Sequence, residues 1–155
     1  MSALEQRRAG VVTASALQTR DLAAGLASEL PGEVTLALHG DLGVGKTTFV
    51  QGLALGFGIR EQVTSPTFSL YKLYRAASPG KGLPAGRLLA HFDAYRLESA
   101  AQADELLLEE FLTPPWCLAV EWPGNVATWL PHDAWHLDLG IATDRRHTLR
   151  LRSPG

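Results

Sequence analysis

Gly40-Asp41-Leu42-Gly43-Val44-Gly45-Lys46-Thr47 is a complete G-x-x-x-x-G-K-[ST] run, and its reading decides the fold. Gly40, Gly43 and Gly45 permit backbone angles that a Cβ forbids, so successive N–H groups can turn into one concavity. Lys46 would carry a point charge to the β- and γ-phosphates of a triphosphate, and the Thr47 hydroxyl is placed to ligate Mg²⁺. Asp41, Leu42, Gly43, Val44, Gly45 and Thr48 complete the expected cradle around them.

The flanks agree with the loop. Val34-Thr35-Leu36-Ala37-Leu38 is a short apolar run with β-branched residues, bounded by Pro31-Gly32 and Gly40, and predicts a buried strand. Beyond the loop, Phe49, Val50, Leu53, Ala54 and Phe57 recur at helical spacing, with Gly56 and Gly58 closing the segment. Strand, glycine loop and helix thus follow in the order that puts a phosphate at a helix N-terminus.

The chain has 155 residues, enough for one domain with a real core. No run approaches the roughly 18 apolar residues of a membrane span. Met1 to Arg8 carries charge with no apolar stretch behind it, so no secretion signal is expected. The single cysteine, Cys117, excludes an internal disulfide and reads as a small buried hydrophobe. These features predict a cytoplasmic protein. A net charge of −2 argues against a chain whose main work is gripping a nucleic-acid backbone. Arg145, Arg146, Arg150 and Arg152 cluster near the C-terminus, as the solvated face of an edge hairpin or as a patch for a partner or RNA.

Elsewhere, a strand at Val11-Val12-Thr13 leads into a helix over Ala16 to Leu30, capped by Ser15, with Leu17, Leu22, Leu26 and Leu30 expected on one face. Phe68 to Tyr74 alternates as a strand. Residues 76 to 86 form a loop rich in proline and glycine. Leu88 to Asp93 is a strand, Ala101 to Leu112 a helix stopped by Pro114-Pro115, and Cys117 to Val120 a strand ending on Glu121. Trp135–Leu139 and Thr148–Leu151 form a hairpin turning at Asp144-Arg145-Arg146. The expected fold is α/β, a P-loop NTPase-like three-layer sandwich with a mixed, mainly parallel central sheet.

Three constellations bear on chemistry. Asp93 ends an apolar strand, where open α/β sheets surround a nucleotide crevice; it can join the Mg²⁺ shell or cap the next turn. Glu121 ends another strand and can ligate Mg²⁺ or polarise a water. Trp122 beside it can stack on a base or pack as core. Thr64-Ser65-Pro66-Thr67 is either an ordinary proline turn or a switch whose hydroxyl senses the γ-phosphate.

Together, Gly40 to Val50, Ser65-Pro66-Thr67-Phe68-Ser69-Leu70, His91-Phe92-Asp93-Ala94-Tyr95-Arg96-Leu97 and Glu121-Trp122-Pro123 closely resemble the bacterial TsaE (YjeE) family, in order and spacing. The resemblance implies a small ATPase with ATP and Mg²⁺ as ligands, required for threonylcarbamoyladenosine modification of tRNA. It also implies docking on TsaD and TsaB, with hydrolysis resetting that pair. Direct contact with tRNA stays open. By the same resemblance Lys46, Asp93 and Glu121 are catalytic; Thr47, Asp93 and Glu121 surround the metal; Thr67 belongs to the switch; and Trp122 lies near the base. The start of the N-terminal helix would border the adenine, although residues 15 to 21 depart from the usual sequence.

The sequence offers no obvious arginine finger, which predicts slow intrinsic hydrolysis; Arg96 is the only arginine well placed near a motif, and a salt bridge that fixes the turn is an equal reading for it. A small-molecule or nucleotide kinase is the alternative, but residues 76 to 86 offer a lid with only Lys81 and, at its edge, Arg87. A GTP switch would need an Asn-Lys-x-Asp stretch, which the sequence lacks.

Overall fold

A computed structural model describes residues 8–41, 43–66, 70–76 and 86–152. Among these, seven strands and three α-helices alternate: β1 (Val11–Thr13), α1 (Ala16–Ala27), β2 (Glu33–His39), α2 (Lys46–Phe57), β3 (Tyr71–Arg75), β4 (Leu88–Asp93), α3 (Ala100–Glu105), β5 (Trp116–Glu121), β6 (Trp135–Ile141) and β7 (His147–Arg152). The strands form one sheet in the order β1-β7-β6-β2-β5-β4-β3. β1, β6, β2, β5 and β4 run one way; β7 and β3 run the other. The sheet is therefore mixed with a parallel centre, as expected.

Alternation along the central strands builds two cores. Val34, Leu36 and Leu38 of β2, Leu89 of β4, and Cys117 and Ala119 of β5 face α1 and α2. Ala90 and Phe92 of β4 and Leu118 and Val120 of β5 face the opposite layer, made by α3 and the 3-10 segment Pro123–Trp129. Burial on both faces explains why these strands read as continuous apolar runs. Cys117 is fully buried, and burial pushes its thiol up to about 12, in keeping with a packing role.

α1 and α2 touch closely because Gly52 and Gly56 present no side chain. A Cβ on Gly52 would lie 2.6 Å from the Ala23 Cβ, and one on Gly56 would lie 2.6 Å from the Ala27 Cβ. Gly58, at φ 82°, closes α2 in the left-handed conformation that helix ends favour. Ser15 caps α1 by accepting from the Gln18 N–H at 3.2 Å.

Several expected boundaries shift. α1 ends at Ala27 rather than Leu30, and Leu17 is 62% exposed while Leu26 and Leu30 are buried. Leu17 precedes Leu22 by five residues, about 140° around a helix, so both cannot face the core. The helix expected over Ala101 to Leu112 stops at Glu105. Leu107 turns left-handed at φ 52° and a 3-10 turn, Leu108–Glu110, follows. That reversal buries Leu108 and leaves Leu107 47% exposed. β3 starts at Tyr71; Phe68 and Ser69 lie outside the described residues, as do positions 77–85 of the expected loop.

Arg87, counted at the edge of a lid, is instead fully buried. Its Nη2 donates to the Pro31 carbonyl at 2.6 Å, and the guanidinium lies 4.7 Å from the centroid of the Phe57 ring. It sits just before the first residue of β4, at the end of the strand opposite Asp93. Among the described residues no helix is long and apolar enough to cross a membrane.

Candidate functional site

The loop between β2 and α2 is held by its glycines and by two distant strands. Gly40, Gly43 and Gly45 take φ values of 141°, 80° and 99°. At Gly40 a Cβ would meet the Leu139 carbonyl of β6 at 2.6 Å, so only glycine lets the loop lie against that strand. From β7, the His147 Nδ1 reaches the Val44 carbonyl at 3.0 Å. That anchor comes from a residue about a hundred positions away, beyond the reach of any local sequence signal.

Lys46 opens α2 and is only 5% exposed. Its Nζ donates to the Gly40 carbonyl at 2.6 Å and lies 3.8 Å from the centroid of the Trp122 ring. Burial lowers its pKa, opposed by the nearby carboxylates of Glu121, Asp93 and Asp41. The lysine is thus folded back onto its own loop beneath an aromatic lid, with acidic groups around it.

Asp93 and Glu121 are register partners at the ends of adjacent parallel strands, β4 and β5. Pairing places the two carboxylates side by side, facing the start of α2. The Thr47 Oγ1 approaches the Glu121 Oε2 at 3.4 Å. The same Oε2 lies 2.5 Å from the Nε2 of fully buried His91. Asp93 Oδ1 accepts from the Tyr95 N–H at 3.0 Å, so Asp93 caps the turn after β4 while also lining the site. The turn-capping role foreseen for it is therefore present, at a residue that also lines the cavity.

Trp122 sits in the left-handed region at φ 56°, a conformation that a tryptophan adopts at a cost of order 1–3 kcal/mol. The bend aims its ring back over Lys46 and against Tyr95, with centroids 5.0 Å apart. Asn125 fixes this arrangement: its Nδ2 donates to the Ala94 carbonyl at 2.9 Å and the Tyr95 carbonyl at 3.2 Å.

These groups surround a cavity of about 430 Å³. Gly43, Gly45, Lys46, Thr47 and Thr48 line it from the loop side; Asp93, Glu121 and Trp122 line it from the strand ends; Ser65, Tyr95 and Arg96 complete the wall. Of the residues expected in the site, the exposed Asp41 and the buried Val44 belong to the loop but not to the wall. Leu42 and Thr67 lie outside the described residues. A larger groove, about 600 Å³, runs along the far end of α2 past Arg20, Leu55 and Arg60, away from the loop and the paired carboxylates.

His91, His147 and Asn125 contribute to the site but escaped the sequence reading. His91 stood in a quoted motif without a role, because a histidine inside a strand gives no hint that its ring reaches the end of the next strand.

Fold and site together define a mixed-sheet α/β protein with a glycine-rich loop between a buried strand and a helix, facing two strand-end carboxylates. The family described as "TsaE: Threonylcarbamoyl adenosine biosynthesis protein TsaE" matches residues 13–149, and the chain belongs to that family. It is 38% identical over 110 residues to the tRNA threonylcarbamoyladenosine biosynthesis protein TsaE of Treponema pallidum, covering 70% of this chain and 74% of that one. Against the TsaE protein of Bacillus subtilis the identity is 36% over 125 residues, covering 81% and 72%. The crystal structure of Bacillus subtilis YdiB has a TM-score of 0.73 and 29% identity, over 94% of this chain and 85% of that one.

Proposed function

We propose that this chain binds ATP with Mg²⁺ in the cavity at the head of α2 and hydrolyses it slowly. In the ATP-bound state it docks on the TsaB–TsaD pair during threonylcarbamoyladenosine modification of tRNA. The observation that carries this reading is the meeting of Lys46 and Thr47 with two in-register carboxylates, Asp93 and Glu121, around one cavity.

The donor set suits the ligands. Thr47, Asp93 and Glu121 offer hard oxygen donors, the type Mg²⁺ prefers, while the loop offers backbone N–H groups and one buried ammonium for phosphate. Lys46 and the 40–47 backbone would hold the phosphates, and Thr47 with Asp93 and Glu121 would hold the metal. Bound Mg²⁺ supplies charge neutralisation at the phosphate oxygens. Glu121, held on one oxygen by His91, is the carboxylate to orient an attacking water. Trp122 would shield the site from bulk solvent, and Thr67 would serve the switch. Arg96 is the one arginine that lines the cavity among the described residues. One exposed arginine is a modest cation supply for the transition state, which favours slow turnover until a partner contributes.

A kinase reading gains nothing from the geometry. Arg87, one of its two candidate lid cations, is committed to the core.

Hydrolysis of ATP and GTP, each measured alone and with TsaB–TsaD, tests the proposal. Adenine-selective turnover that rises with the partners and disappears in Lys46→Ala is expected. Turnover by the chain alone at roughly tens per second, or labelled phosphate on a small acceptor, would contradict it.

A further inference from the structure

His91 is the one buried histidine of the central strands, and its ring does not behave as core. It lies on β4 opposite Ala119 of β5, while Glu121 lies two residues further along β5. The two side chains are diagonal neighbours on the face that carries α1 and α2. Across that diagonal the His91 Nε2 meets the Glu121 Oε2 at 2.5 Å, with His91 at 0% and Glu121 at 5% exposure. The other ring nitrogen, Nδ1, is buried with no hydrogen-bond partner among the described residues.

A carboxylate only accepts, so the proton of this pair sits on Nε2 and the imidazole is the donor. Leaving Nδ1 unsatisfied in the core costs about 1–3 kcal/mol, which an apolar residue at position 91 would avoid. Its neighbours Leu89, Ala90 and Phe92 are all apolar and fully buried. The polar ring thus carries a penalty in packing and has a single described polar contact, the carboxylate that Thr47 also approaches.

We infer that His91 is a positioning residue for Glu121. Its Nε2–H pins one carboxylate oxygen against rotation, so the group stands beside Thr47 in a fixed orientation before anything enters the cavity. Groups behind a functional side chain commonly act this way, and losing one typically costs about 10- to 100-fold. The inference rests on the proposed nucleotide site, since it gives Glu121 its task.

Two measurements test it. In ¹⁵N-histidine NMR of the nucleotide-free chain, the His91 ring should show a protonated Nε2 whose resonance moves in Glu121→Gln. A proton on Nδ1, or a resonance indifferent to Glu121→Gln, overturns the pairing. In kinetics with MgATP, His91→Phe should lower kcat about 10- to 100-fold. The dissociation constant of a fluorescent ATP analogue should stay within about threefold, the pattern of an interaction used after binding. His91→Gln, which keeps a donor near the Nε2 position, should recover much of the loss. The double variant His91→Phe/Glu121→Gln should be no slower than Glu121→Gln alone, because the histidine acts through the carboxylate. Additive losses, or an unchanged kcat in His91→Phe, overturn the inference. Failure of the wild-type chain to bind MgATP would instead sink the nucleotide site itself, leaving NMR to decide the pairing alone.

Discussion

Strands β2, β5 and β4 are covered on both faces, whereas β6, β7 and β1 are covered on one. In the first group, Leu89 and Phe92 of β4 and Ala119 and Val120 of β5 are buried toward opposite layers. In the second, Leu137, Leu139, Leu149 and Leu151 face α1 and α2, but Asp138, Arg150 and Arg152 on the other face meet water. The paired carboxylates of Asp93 and Glu121 belong to the doubly covered half. There the covering layers bury Glu121, and the low access of water strengthens its charge interactions, while Asp93 stays half-buried at the cavity. The hairpin half contributes supports, His147 and the Leu139 carbonyl, which brace the glycine loop from outside. The loop is the seam between a doubly covered half that carries the paired carboxylates and a solvated half that props it.

The sharpest break of this contrast is a cavity on one side of it. Phe92→Ala removes a fully buried ring packed edge-on against Trp129, with centroids 5.4 Å apart, and should cost about 3–5 kcal/mol. Arg150→Ala on the open face of β7 should stay within about 0.5 kcal/mol. Urea midpoints of the two variants measure the difference directly, and equal shifts would erase the contrast. Next in size is the seam. Gly40→Ala forces a Cβ against the Leu139 carbonyl at a φ of 141° and should cost about 1–3 kcal/mol. Gly32→Ala, with open space around it, should change stability by no more than about 0.5 kcal/mol.

What could be read without the structure follows from how local each signal is. The 40–47 loop, β2 and α2 were legible because strand, glycines and helical spacing are contiguous. Asp93 and Glu121 were legible as strand-terminal acids, since a parallel sheet gathers such ends at one edge. Three features were hidden for physical reasons. The left-handed turn at Leu107 has no local signature, because leucine is a poor residue for that conformation and only the burial of Leu108 repays it. The reach of His91 to Glu121 depends on the register of two strands separated by a helix and a 3-10 turn. Arg87 precedes an apolar strand like any boundary residue, yet the Pro31 carbonyl and Phe57 ring draw it inside.

A third prediction concerns acid stability on the border of the two halves. His39 Nε2 and His136 Nδ1 share a hydrogen bond at 2.8 Å with stacked rings. Burial lowers the pKa of both; in His39, His136, Arg152 and Lys46 add to the lowering and Asp138 opposes it, and in His136 Arg152 lowers while Asp138 raises. The unfolded chain therefore takes up protons as pH falls below 6.5 while the folded chain resists. Stability from this pair is complete above that value and is lost as pH falls through the lowered folded values. His136→Gln should flatten that decline below pH 6.5, at a cost of about 0.5–1.5 kcal/mol at neutral pH for the lost hydrogen bond. Urea midpoints across a pH series read both quantities, and an unchanged slope would remove the pair from the acid response.

The smallest effect belongs to the hairpin. Arg152 grips Asp138 through Nε at 2.7 Å and Nη2 at 3.0 Å, and Arg146 pairs with Asp144 across the turn. Hydrogen bonding to Arg152 holds the Asp138 carboxyl below its usual range. Such geometry looks strong, but both Asp138 and Arg152 side chains are substantially exposed, so water and salt screen most of the attraction. Asp138→Asn should therefore cost no more than about 1 kcal/mol, and less in high salt. Two of the four clustered arginines thus spend their charge within the hairpin, as a solvated edge would. If Asp138→Asn instead lowered stability as much as Phe92→Ala, the open face would have to be drier than its exposure indicates. The division of the sheet into a dry half and a wet half would then fail at the point where it is easiest to test.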